Sequence, residues 1–110
     1  AAGLFSRYPE LCLSVPAFTL EDVASIGDLS ERGACVIAFA GVERVTPDIF
    51  QRLHQANISV QVGTFATLDE RAGSDGPGIY DGLLDAGVDV LATDDPDQVA
   101  EALRRRRISP

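Results

Sequence analysis

The sequence predicts an α/β protein: four consecutive strand–helix units on a parallel sheet. Four short apolar runs recur along 110 residues, most of them carrying β-branched side chains. Three of the intervening helices open on a threonine or aspartate with an acid or proline close behind. Strand and helix alternate strictly, which calls for right-handed crossovers between parallel neighbours.

The elements follow in order. Leu11–Val15 (LCLSV) is an apolar run ahead of Pro16 and reads as the first strand. Thr19 with Asp22 three residues on opens a helix to about Arg32, and Gly33 stops it. Ala34–Phe39 (ACVIAF) is a continuous apolar strand of the kind buried on both faces in parallel sheets. Thr46 caps and Pro47 starts the second helix, with Ile49, Leu53 and Ala56 on one face. Ile58–Phe65 is the third strand. The stretch 66–78, rich in Gly, Asp and Ser, reads as a long surface loop. Ile79, Leu83 and Leu84 then recur at helical spacing and Gly87 ends that helix. VDVLAT is the fourth strand, and Asp95, Pro96 and Gln98 stand at the cap, first and third positions of the last helix.

Composition bounds the function. The length suits a single domain, residues 1–110, with a real core. A net charge of −8 argues against nucleic acid, whose phosphates require a basic footprint. No apolar run approaches the ~18 residues of a membrane span, and no basic-then-apolar leader opens the chain. The basic run Arg104–Arg107 suits a helix C-terminus. All nine basic residues are arginine and methionine is absent, so the chain is expected to be a processed product or part of a longer polypeptide. Cys12 and Cys35 lie in apolar strands and are expected as buried free thiols, although spacing alone leaves a disulfide open.

Catalytic motifs are scarce. The one histidine, His54, sits mid-helix, where a helix outside a parallel sheet cannot aim it at the strand ends; it is expected on the surface. With one histidine no acid–base pair of histidines exists. There is no G-x-S-x-G and no Cys/His metal spacing. Of the acidic cluster Asp89, Asp94, Asp95 and Asp97, Asp95 reads as a cap and Asp97 as a first-turn acid. Asp94, at the end of a strand, is the best candidate for ligand contact.

One family resemblance adds to this reading. The apolar helix followed by Gly87, Val88, Asp89, an apolar pair, Thr93, Asp94, Pro96, Asp97 and a closing helix resembles the end of the glycerophosphodiester phosphodiesterase barrel. Thr46–Phe65, with a Thr-Pro helix start, a Leu-His pair and a threonine-bearing strand, is similar in order and spacing. The likeness covers roughly Val45–Leu103. Four βα units alone would equally suit a flavodoxin-like layered sheet. The resemblance favours the C-terminal half of a TIM (β/α)8 barrel, whose open edges and inner face a partner half or a second copy must cover.

It implies hydrolysis of a glycerophosphodiester-type small molecule with a divalent cation, calcium or magnesium, bound by the complete barrel and not by this chain alone. The family's HRG-type motif, acidic pair and middle-strand lysine have no counterpart here. Gly63 and Ala66 replace its usual polar or aromatic groups. This half is therefore expected to give a pocket wall, with Ser14, Phe39, Gly63, Phe65 and Asp94 as substrate-side positions and no catalytic residue. The rival reading is a non-catalytic half barrel that forms a homodimer through its open edges or binds a partner.

Overall fold

A computed structural model describes residues 11–108. Its four strands are β1 (Cys12–Pro16), β2 (Cys35–Val42), β3 (Ser59–Gly63) and β4 (Val90–Ala92). All neighbours are parallel and the sheet runs β1-β2-β3-β4. The helices are α1 (Leu20–Glu31), α2 (Pro47–Gln55), α3 (Leu68–Asp75), α4 (Asp81–Asp85) and α5 (Pro96–Ile108), with a 3-10 turn at Pro77–Tyr80.

The helices lie against one face of the sheet. Ala38 and Ala40 of β2 and Val60 and Val62 of β3 share a core with Ile26 of α1 and Ile49, Phe50 and Leu53 of α2. Leu91 of β4 leads into a second cluster of Ala72, Tyr80, Val99 and Ala102. Sequential strand order with helices on one face is the winding of a barrel wall. A flavodoxin-like sheet reverses its order and is covered on both sides, so that alternative falls.

β2 is not buried on both faces as its continuous apolar run predicts. Ala38 and Ala40 are buried, whereas Cys35 is exposed and Ile37 and Phe39 are half-buried on the opposite face. Period-two alternation assigns that inner face Cys12, Ser14 and Pro16, then Cys35, Ile37 and Phe39, then Ser59, Gln61 and Gly63. An apolar strand needs a second covering layer, and among the described residues no helix supplies one.

The cysteines also depart from expectation. Cys12 and Cys35 are direct register partners with Cα atoms 4.5 Å apart, and they form a disulfide exposed on the inner face. Pairing register, which spacing along the chain does not reveal, brings them together.

The third departure is 66–78. Instead of a long loop it holds α3 and the 3-10 turn, separated by Gly76. Thr19 makes the predicted capping box with Asp22, each side chain taking up the other's backbone N–H. Thr46 occupies its cap position without a side-chain bond, and its carbonyl receives the Phe50 N–H at 3.0 Å. Asp95 caps α5, accepting from the Gln98 N–H at 3.4 Å.

Candidate functional site

The strands' C-terminal ends and the inner face leading to them form the surface on which barrels build their sites. Ser14 lies mid-strand on β1, not at a strand end, and its hydroxyl donates to Gln61 Oε1 at 2.9 Å. That bond spans the inner face across β2. Phe39 also points inward, and its ring meets Phe18 edge-on, with centroids 6.3 Å apart and planes at 74°.

Gly63 ends β3 beneath the ring of Phe65. A Cβ there would lie 2.6 Å from Phe65 Cε1, so the close approach requires glycine unless that ring moves. Phe65 itself is 50% exposed. Asp94 is exposed beyond β4, and its N–H donates to Asp69 Oδ2 at 2.7 Å. The five predicted positions thus share the inner face or its upper rim, although Asp94 stands apart from the phenylalanine cluster in the chain's order of strands.

Three groups at this end were not anticipated. Asp69 on α3 accepts hydroxyl bonds at 2.7 Å from Thr64, Tyr80 and Thr93, besides the Asp94 N–H. Burial alone would raise its carboxyl, but these four donors hold it below the usual aspartate range. Tyr80 shifts the other way: its burial and the Asp69 charge raise the phenol, so it stays protonated as a donor.

Glu43, in the left-handed region at φ 52°, is the second. Its carboxylate accepts the Thr67 N–H at 2.5 Å, the Leu68 N–H at 3.0 Å and the Thr67 hydroxyl. Burial acts to raise this group too, and the same bonds outweigh it and lower it. Glu43 is therefore the N-terminal cap of α3, supplied from the end of β2. Gln61, the partner of Ser14, is the third.

A sequence signal for α3 existed. Thr67-Leu68-Asp69-Glu70 has the spacing of a capping box, hidden by the glycines around it. The structure uses it differently, since Thr67 turns its hydroxyl to Glu43.

His54 lies away from this end, as its helical position predicts. Its Nε2 is 2.9 Å from Asp89 Oδ2, which also accepts the Val60 N–H at 2.8 Å. The Asp89 N–H returns a bond to the Val60 carbonyl at 2.9 Å. Gly87 makes room for the ring: its φ is 97° and a Cβ would meet His54 Cε1 at 2.9 Å. The Leu-His pair and the Gly-Val-Asp run are thus two halves of one structural clasp at the start of β4.

No cluster of three His, Cys, Asp or Glu side chains among the described residues could hold a metal ion. Glu43, Asp69 and Asp95 are committed to backbone and hydroxyl donors. Among the described residues, these three carboxylates are therefore not free to hold a divalent cation. No described helix is long and apolar enough to cross a membrane.

Sequential parallel strands, helices on one face and a disulfide-tied inner face define a segment of a parallel βα-barrel wall. Among solved structures, the chain is similar to the crystal structure of a glycerophosphoryl diester phosphodiesterase from Parabacteroides distasonis ATCC 8503, with a TM-score of 0.72 and 20% identity. The match covers 96% of this chain and 38% of that one, so the chain spans well under half of that protein's length. At this identity the likeness carries the fold. No protein-family model matches the chain, and no curated protein matches it.

Proposed function

We propose that this chain is the C-terminal half of a glycerophosphodiester phosphodiesterase-like barrel, in which it forms the pocket wall and the closing strand. The observation that supports this reading most is the inner face, which no helix covers among the described residues. Ser14, Phe39 and Gly63 line it and Phe65 overhangs its upper rim, where a barrel would enclose a substrate. In the complete barrel the substrate is a glycerol-containing phosphodiester such as a deacylated phospholipid. Water cleaves it to glycerol phosphate and an alcohol.

The metal ligands and the acid and base come from outside this chain, since the Glu43 and Asp69 carboxylates are engaged and the histidine is remote. Here the Ser14–Gln61 pair presents a polar patch to the diester's hydroxyls. Phe39, Phe65 and Phe18 present apolar surface to its carbon skeleton.

The test is hydrolysis of glycerophosphocholine by the naturally expressed polypeptide, with calcium or magnesium and with chelator. Metal-dependent hydrolysis is expected there, and none from the 110-residue chain alone. Phe65→Ala should raise KM about tenfold with little change in kcat, the loss of roughly 1.4 kcal/mol of binding. No hydrolysis by the natural polypeptide would defeat the reading.

Among the described residues β1 and β4 have no further strand neighbour at the sheet's edges, and this favours a second reading, a non-catalytic half barrel that pairs with a copy of itself. It predicts a dimer by sedimentation velocity, together with inactivity under every metal condition.

A further inference from the structure

We infer that the Cys12–Cys35 disulfide is a redox-sensitive latch that holds β1 in the sheet. The inference concerns this chain by itself: in the proposed complete barrel a preceding strand would pair with β1 and the inner face would be enclosed. Among the described residues β1 has one strand neighbour, β2. None of its five residues is buried: exposed Cys12, Ser14 and Pro16 alternate with half-buried Leu13 and Val15. Its last residue is a proline, which has no N–H to contribute.

The next pair is built differently. Ala38, Ala40, Val60 and Val62 of β2 and β3 are all at most 2% exposed. Buried side chains therefore hold β2 to β3 more than β1 to β2, although half-buried Val15 packs on the core and the Ala17 N–H just past β1 donates to the Phe39 carbonyl at 2.8 Å. The one covalent tie falls at the first residue of the weakly held strand, on its direct register partner. Both cysteines are exposed on the face that no described helix covers, so a reductant in solution reaches the sulfurs.

The switching step needs a dithiol reductant. One of its thiolates attacks a Sγ atom, the S–S bond breaks, and the departing sulfur takes the electron pair and a proton. The second thiol then displaces the protein sulfur from the mixed disulfide. The products are two protein thiols and an oxidised reductant, with two electrons and two protons transferred to the protein. In the reduced state β1 frays from β2. The Ser14–Gln61 bond that crosses the inner face then opens with it.

Amide hydrogen exchange on the full chain, followed by mass spectrometry with and without dithiothreitol, tests this. Peptides covering residues 12–16 should exchange at least tenfold faster after reduction, while those covering 59–63 change less than twofold. Cys12→Ser/Cys35→Ser should show the fast pattern without reductant and no response to it. A more conservative pair, Cys12→Val/Cys35→Val, serves if the serine variant fails to fold. Unchanged exchange at 12–16, two free thiols titrated before any reductant, or loss of protection across the whole sheet would each overturn the latch.

Discussion

Asp69 gathers hydroxyls from β3's end, the 3-10 turn and the loop after β4 onto one carboxylate, so its charge knits the sheet's upper rim to the helix layer. Asp69→Asn keeps the shape and removes the charge. It should cost about 2–4 kcal/mol by urea denaturation, because charge-assisted bonds are lost and hydroxyl donors are left short of an acceptor. The pH dependence has a definite sign. Asp69 and Glu43 are both lowered on folding, so their contribution is present above the unfolded value of about 4. It is lost as pH falls through their lower folded values. Wild-type protein should therefore lose stability as pH falls below about 4, and Asp69→Asn should lose less over the same fall. Gly87→Ala should destabilise by about 1–3 kcal/mol, since a positive φ and the His54 ring both oppose a methyl group. The sequence marks Gly87 as a helix stop, yet the ring it accommodates comes from His54, which is remote in sequence and unpredictable from a single strand–helix unit.

At the scale of elements, α3 exists because the end of β2 supplies its cap. Glu43 reaches the first turn only because Gly41 and Glu43 itself take positive φ where the β2–β3 register shifts. Glu43→Ala should cost about 1–2 kcal/mol in urea denaturation and raise amide exchange across Leu68–Asp75 before β3 is affected. This explains which parts of the fold were legible. Strands β1 to β4 and helices α1, α2 and α5 carry their signals locally, in apolar runs and in Thr19, Pro47, Asp95 and Pro96. Helix α3 carries only the Thr67–Glu70 spacing: Gly73, Ser74 and Asp75 argue against a helix, and its cap comes from a residue 24 positions upstream of Thr67. The disulfide was hidden for the same reason, because it depends on strand register. Closing a loop with a sequence separation of 23, it should add roughly 3 kcal/mol to stability in the chain-entropy picture.

At the scale of the molecule, the strand order and the one-sided helix layer leave an inner face that no helix covers among the described residues. Alternation and strand order place Ser14, Phe39 and Gly63 on that face, whereas Phe65 and Asp94 follow the ends of β3 and β4. Gln61 and Phe18, which complete the surface, carry no motif and emerge only when neighbouring strands are set side by side. The absence of the family's histidine, acidic and lysine motifs from this sequence, and the engagement of Glu43 and Asp69 within the fold, support the proposed role of this chain as a wall. The intact mass and N-terminal sequence of the naturally expressed protein test that assignment most directly. A mass of roughly twice 11.7 kDa or more, with an HRG-type motif upstream of Ala1, is the predicted result, in line with the ~250 residues of a complete barrel. A natural start at or near Ala1 would contradict it, leaving a half barrel completed by its own partner.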